Sequence, residues 1–475
     1  YTATDHFVLL PAILLAVFGF AALLVPKSRY LNALHLLLAG ETFVGYMLIQ
    51  QWNALQTAGA PIPGFKGAMI VDGLGLFFNA IFVVAAVISA LISYRYLAVE
   101  EEDETEYYGL LLLAQAGMYF LAMGTDLVTL FVGLETMSVT FYILVGFLRR
   151  EKRSNEAALK YLLLGAFAAG FLAYGFSLIY GLTGATRFEE IGRALETVDG
   201  TNFLLILAIL LTAVGLLFKL GAAPFHVWTP DAYEGAPTPI TAYLSVASKA
   251  AAFVFMLRLL LGPLGSHREI WEPILVFAAI VSLTIGNLAA LTQSNVKRML
   301  AYSSIAHMGY ILLGVIAGNE RGYHGALIYT AIYAFMTLGA FLVLVALRRE
   351  GLPGEHLDDL AGLIHKSPVY AVLMVVFLLS LAGIPPTAGF IGKYYIFMAL
   401  IEMKLYLLAV AGALYIAVSL FYYFRIVRAM FAENLRHDAP LASSLGVRIA
   451  LAVTATATVF LGIYPEPLIQ WVKSC

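Results

Sequence analysis

The stretch FLLILAILLTAVGLLFKLGAAP, residues 203–224, decides the fold. From Phe203 to Phe218 it carries no charge and reads as a membrane helix; Lys219 then precedes Gly221-Ala-Ala-Pro224, which stops an α-helix inside the apolar run. A second stretch, FLLSLAGIPPTAGFIGK at 377–393, repeats the pattern with Gly383-Ile-Pro-Pro386 and Lys393. Paired interruptions of apolar spans point to a transport site, because freed backbone groups need a protein-lined or water-filled cavity. The alternative is a pair of simple kinks.

Composition agrees with a membrane chain. Over 475 residues, 61% are hydrophobic and 12% charged, with a mean hydropathy of +0.87. No soluble core hides that much apolar surface. A formal net charge of -2 with scattered basic residues excludes nucleic acid as a partner. The single cysteine, Cys475, excludes an internal disulfide, a cysteine-ligated zinc and an iron–sulfur cluster held by this chain alone. There is no nucleotide, flavin or haem motif. The first apolar run follows Tyr1–His6 without a basic stretch, and is expected to be a retained helix.

Apolar runs of about 20 residues predict an all-α polytopic fold with about fourteen spans. They are 7–26, 31–50, 68–94, 107–123, 125–148, 156–180, 203–220, 238–262, 271–291, 299–317, 322–348, 368–401, 404–430 and 445–465. With the N-terminus outside, sixteen of the 28 Lys and Arg fall on the cytoplasmic side, among them Lys27, Arg29, Lys297, Arg349 and Arg436; seven fall outside. That asymmetry predicts both termini on the outer side. Arg258, near the outer end of its span, is expected to snorkel. The acidic run Glu100–Glu106 is a solvated loop.

A weak internal repeat supports the pairing of the two interruptions. Ala158-Leu-Lys-Tyr161 with Ala166-Phe167 matches Ala326-Leu-Ile-Tyr329 with Ala334-Phe335, and the two Gly/Pro elements correspond at a similar offset. Five helices per repeat would relate the halves by inverted topology. The chain is thus divided as one membrane domain, 1–475: N-terminal helices to about 106, a first repeat at 107–262, a second at 271–430, and a C-terminal loop and helix at 431–475.

Ionisable residues at membrane depth cost several kcal/mol and are functional candidates by default. Lys219 stands at the end of a half-helix, whose carbonyls attract a cation. Lys249 lies about eleven residues into its span, where snorkelling reaches least, and Lys393 follows the second interruption. Glu135, in Phe131-Val-Gly-Leu-Glu-Thr-Met137, can report a neighbour's charge or be a buried structural acid. Lys160 is only about five residues inside its span, against thirteen for Glu135, an axial mismatch of roughly 12 Å. Proton transfer and snorkelling are equally open to it. His307, with Tyr302, Ser303 and Ser304 on one helix, can relay protons or be a satisfied core histidine. His226, after the first interruption, and His324, at an outer helix end, are secondary candidates. Glu41 and His35 on one early span, and Asp72 near the start of another, can form an entry or an interface with a neighbouring subunit, and are read chiefly as structural.

Several motifs in order carry a resemblance. They are Phe131-Val-Gly-Leu-Glu-Thr-Met-Ser-Val139, Glu156-Ala-Ala-Leu-Lys-Tyr161, Phe218-Lys-Leu-Gly-Ala-Ala-Pro-Phe-His-Val-Trp-Thr-Pro-Asp231, Leu300-Ala-Tyr-Ser-Ser-Ile-Ala-His-Met-Gly309 and Gly383-Ile-Pro-Pro-Thr-Ala-Gly-Phe-Ile-Gly-Lys393. From about 70 to 465 the chain resembles the antiporter-like membrane subunits of respiratory complex I, the bacterial NADH:quinone oxidoreductase. Lys393, Leu-Glu-Thr around Glu135, and the lack of a long lateral helix resemble the N type.

The resemblance implies a fourteen-helix fold with two inverted five-helix repeats and discontinuous helices. It implies that Glu135 and Lys160 form a modulating pair near Lys219, that Lys249 and His307 connect, and that Lys393 is the terminal proton donor. Flavin, iron–sulfur clusters and quinone would sit in partner subunits, this chain holding no cofactor or metal and touching other membrane subunits and lipid in a bacterial inner membrane. Two other readings stay open: a cation/proton antiporter or membrane-bound hydrogenase subunit, and a structural anchor for redox partners.

Overall fold

A computed structural model describes residues 2–25, 32–348, 354–433 and 444–475. Lys27, Arg29, Arg349 and Arg436 lie outside the described residues. The spans begin at polar side chains that cap them. Thr2 opens α1 (Ala3–Leu24), Asn32 opens α2 (Ala33–Ala58), Asp72 opens α3 (Gly73–Glu100) and Asp103 opens α4 (Glu104–Met123). Asp126 opens α5 (Leu127–Val145) by accepting from the Val128 and Thr129 amides. These caps supply acceptors that the first turn of a helix lacks.

Next come α6 (Lys152–Thr183), the short α7 (Phe188–Leu195), α8 (Phe203–Leu220) and α9 (Trp228–Gly235). The following span is composite: α10 (Thr238–Tyr243), a π-turn at Leu244–Ser248, and α11 (Lys249–Leu261). The second half has α12 (Arg268–Ala290), α13 (Val296–Ala317), α14 (Glu320–Leu347), the single turn α15 (Leu363–Lys366), α16 (Pro368–Ala382), α17 (Ala388–Glu402) and α18 (Tyr406–Met430). It closes with α19 (Leu445–Ile463) and α20 (Glu466–Lys473).

The order helix, helix, long helix, broken helix, helix thus occurs at α4–α11 and recurs at α12–α18. Twelve helices among the described residues are long and apolar enough to cross a membrane; α4 and the α16–α17 pair bring the crossings to the expected fourteen. The expected span 368–401 is two helices, as its Gly/Pro element foretold. Short elements escaped the apolar pattern: a hairpin of Ile62–Gly64 with Met69–Val71, and α7, α9 and α20.

The apolar windows of α10–α11, α13 and α14 are 94% buried, against 22% for α18 and 33% for α1. The helices carrying Lys249 and His307 are therefore encased by others, while α1 and α18 face outward. A helix apolar on all sides belongs in such a place.

Three expectations are corrected, the first being the solvated acidic loop: Glu100 ends α3 and pairs with Arg348 at 2.9 Å, and Glu104–Glu106 form the first turn of α4. Arg258 does not snorkel: its guanidinium pairs with Asp72 at 2.7 and 3.0 Å and donates to the Ala122 carbonyl at 2.6 Å. Asp72, at the start of α3, offers the counter-ion within the bundle. Lys297, placed in a cytoplasmic loop, is 1% exposed. It donates to the Ala236 carbonyl at 2.7 Å and to Glu355 at 3.0 Å.

Replacing Asp72 with Ala leaves the Arg258 guanidinium buried without its counter-ion, a loss of about 3–5 kcal/mol. Thermal unfolding of the detergent-solubilised protein should shift down accordingly and recover in part when Arg258 is also changed to Met. An unshifted transition in the single variant contradicts the role given to this pair.

Candidate functional site: a line of buried lysines

The first interruption is a left-handed turn. Gly221, at φ 66°, caps α8, and the Ala223–Pro224 bond is cis. Two of the freed backbone groups find side-chain partners: the Trp228 indole donates to the Phe218 carbonyl at 2.8 Å, and the Ala223 amide donates to Ser282 of α12 at 2.8 Å. A Cβ on Gly221 would lie 3.3 Å from the Lys249 Nζ. The Lys249 ammonium therefore covers the break.

Lys219, two residues earlier, is 2% exposed and points into α5. It donates to Ser138 at 2.6 Å and to the Tyr142 hydroxyl at 3.3 Å, with the Tyr142 ring centroid 5.5 Å away. Glu135 sits three residues before Ser138, on the same face of α5, and lies within electrostatic reach of Lys219. Its Oε1 is buried with no hydrogen-bond partner.

Lys160 is placed differently. Its ammonium is held by Glu156 at 2.7 Å and Asp231 at 3.0 Å, and its side chain is 46% exposed. No ion pair joins it to Glu135 among the described residues. The reason is α9: this short helix after the break carries Asp231 to the near end of α6, where the sequence reading had only a loop.

From there an ion network crosses one end of the bundle. Arg298 pairs with Asp231 at 2.6 Å and Glu234 at 3.0 Å, and Arg153 pairs with Glu234 at 3.1 Å and Glu355 at 3.4 Å. An open polar cavity of about 270 Å³ lies among Arg153, Glu156, Lys160, Asp231, Glu234 and Arg298.

Beyond the break the line continues through α13. Lys249 follows the π-turn, a local widening frequent at functional sites. It donates to the Ser304 hydroxyl, which also lies 3.4 Å from that of Tyr233. One residue away, Ser303 is hydrogen-bonded to the Tyr423 hydroxyl. That hydroxyl is 3.1 Å from Nε2 of His307, whose Nδ1 is 2.6 Å from the Tyr329 hydroxyl. Lys393 is next, its ammonium 4.7 Å from the Tyr310 ring centroid and donating to the Leu381 and Ala382 carbonyls at 3.0 Å each. These are the last carbonyls of α16. A Cβ on Gly383, at φ 84°, would meet Lys393 Cδ at 2.8 Å and Nζ at 3.3 Å. The second interruption is thus covered by a lysine as the first is.

Further buried hydroxyls flank this line: Ser248 beside Tyr161, Tyr333 beside Ser304 and Thr337, and Thr229, which has no hydrogen-bond partner among the described residues. In folded proteins such groups are satisfied by ordered water. His226 has a buried, unpartnered Nδ1 and lies within electrostatic reach of Lys249. Tyr302 is half-buried and takes no part in the line. His324 stands apart at the start of α14, 3.9 Å from Glu320.

Ser138, Tyr142, Tyr329 and Tyr423 were not singled out from sequence. Ser138 and Tyr142 follow Glu135 at i+3 and i+7 and could have been found by that spacing. Tyr423, one of many aromatics, gives no such signal.

Residues 124–419 match the family described as "NADH:quinone oxidoreductase/Mrp antiporter, TM". The chain is 57% identical over 479 residues to NADH-quinone oxidoreductase subunit N 2 of Solibacter usitatus, covering 99% of this chain and 97% of that one. It matches a chain of respiratory complex I from Thermus thermophilus at 32% identity and a TM-score of 0.81, covering 97% and 98% of the two chains. A chain of the Mrp complex from a Dietzia species shares the fold, with a TM-score of 0.85 at 19% identity over 100% of this chain and 97% of that one.

Glu355 supplies a pH test. Burial alone would raise its carboxyl, but the Lys297 ammonium, with Arg153 and Arg348, outweighs this and holds it below the ordinary value of 4.5. Its stabilising contribution is complete above that ordinary value and is lost as pH falls through the lowered folded one. Thermal stability of the purified protein should hold from neutral pH down to about 4.5 and fall below it. Glu355→Gln should cost about 3 kcal/mol at neutral pH and flatten the acid fall; an acid fall of the same size in that variant contradicts the assignment.

Proposed function

We propose that this chain, which belongs to the NADH:quinone oxidoreductase/Mrp antiporter family and within it to subunit N of the NADH-quinone oxidoreductases, carries protons across the membrane along its buried lysines. The observation that carries this reading is the repetition of one arrangement. An ammonium lies against each break glycine, Lys249 at Gly221 and Lys393 at Gly383, and hydroxyls and an imidazole stand between the two. A sodium or proton carrier built on broken helices places its site at such points.

In this account the chain does no redox chemistry. Partner subunits hold the flavin, iron–sulfur clusters and quinone, and other membrane subunits adjoin this one in a bacterial inner membrane, with both termini outside. Quinone reduction changes the charge near Glu135. Lys160, exchanging between its carboxylates at the cytoplasmic end and the interior, sets the field at Lys219. Lys219 then passes its proton towards Lys249, from there by Ser304, ordered water, Tyr423 and His307 to Lys393, and so outward. Each lysine is neutral or cationic in turn, and Ser138, Tyr142 and Ser304 accept from the ammonium form without adding a fixed charge. The segments 107–262 and 271–430 act as two five-helix units, each with one break.

Replacing Lys219 or Lys393 with Ala should lower coupled NADH:quinone turnover in membranes by about a hundredfold or more, the size of effect typical of a lost proton-transfer group. The complex should still assemble, as native electrophoresis would show. Wild-type turnover in both variants contradicts the reading, and full pumping without any of the lysines supports the anchoring role instead. Sodium-dependent proton flux in the absence of the redox subunits would point to an antiporter.

A further inference from the structure

One buried acid takes no part in the line. Glu41 is 2% exposed on α2, and Gln115, facing it from α4, is 1% exposed. The Gln115 Nε2 donates to Glu41 Oε2 at 3.1 Å. The other oxygens of both side chains, Glu41 Oε1 and Gln115 Oε1, are buried with no hydrogen-bond partner among the described residues. Among the described residues no lysine, arginine or histidine forms an ion pair with Glu41.

Two acceptors with no donor is an arrangement that one proton completes. On Glu41 Oε1 it turns an acceptor into a donor, for the amide oxygen or for an ordered water. Without it, two buried acceptors stay unpaired beside a buried charge. Gln115 suits both states, since its NH₂ donates to the acid and the anion alike.

The surroundings lead on to the lysine line. Glu41 lies within electrostatic reach of Tyr243 of α10, whose buried hydroxyl has no hydrogen-bond partner among the described residues. Ser248, in the π-turn directly before Lys249, has a buried hydroxyl too, beside that of Tyr161. Helices α2 and α10 start at the same end of the bundle, six crossings apart. Glu41 is the ninth residue of α2 and Tyr243 the sixth of α10, depths of roughly 12 and 8 Å at 1.5 Å per residue. Both lie between the bundle end and Lys249.

We infer that Glu41 is a proton-holding site, partnered by Gln115, and that it feeds Lys249 along a lateral branch through Tyr243 and Ser248. The inference rests on the proton-carrying reading for what Lys249 does. The proton leaves Glu41 Oε1, a file of water and hydroxyls shifts one proton in the same direction, and the neutral Lys249 amine takes it up. The carboxylate left behind keeps the Gln115 donor until it is protonated again.

Two measurements on the intact complex test this. Redox-induced infrared difference spectra in H₂O and D₂O should show a protonated-carboxyl band that Glu41→Gln removes. The same variant, which keeps the shape and the hydrogen bonds of the neutral acid, should slow proton pumping in proteoliposomes by about twofold or more. Tyr243→Phe, which retains the ring packed 5.4 Å from Phe141, should slow it similarly with the band intact. A Glu41→Gln complex with the wild-type band and wild-type pumping overturns the inference. Lys249→Met, measured alongside, separates the two ideas. If it stops pumping while Glu41→Gln and Tyr243→Phe do not, the branch alone is wrong; if it pumps normally, the lysine line itself is wrong.

Discussion

A helix broken inside hydrocarbon leaves N–H and C=O groups that no water can reach, and the rest of this structure follows from how they are satisfied. At the first break the Trp228 indole and the Ser282 hydroxyl take two of the freed groups. At the second, the Lys393 ammonium takes the last two carbonyls of α16. A lysine in such a place is a structural partner of the helix end and, on the proposed reading, a proton carrier as well. When it moves or loses its proton, the helix end it covers must find another partner, so charge state and backbone geometry are coupled.

This coupling explains where the polar residues lie. The helices that carry Lys249 and His307 are enclosed by other helices, which keeps lipid away from their side chains. Lys219 and Lys249 each rest on hydroxyl oxygens, not carboxylates. A hydroxyl can receive an ammonium and stay neutral when the proton has gone. The ion pairs with carboxylates gather at the bundle end, where Lys160, Asp231, Arg298, Lys297 and Glu355 belong to one ion network. Glu135 stands between the two regions, with one oxygen unpartnered.

Much of the fold was legible in the sequence because length and hydropathy control it. Span boundaries fell within a few residues except where polar turns extend helices, as at α2 and α3. The two breaks were legible from Gly and Pro alone. Side-chain pairing was not, since it depends on which helices become neighbours. Asp72 and Arg258 are 186 residues apart, and apolar runs say nothing of their meeting. For the same reason Lys297 read as a loop residue, although the segment near Glu355 folds over it. Tyr142, Tyr329 and Tyr423 were hidden by abundance: in a chain with 27 tyrosines, composition cannot tell a relay hydroxyl from a packing ring.

The central claim is that protons pass through this chain on its lysines. The most direct measurement is the number of protons released per NADH oxidised by the reconstituted complex with Lys219, Lys249 and Lys393 all replaced by Met. The account expects a ratio below that of the wild-type complex, or a loss of coupled turnover altogether. An assembled complex with the wild-type ratio at the wild-type rate would contradict it.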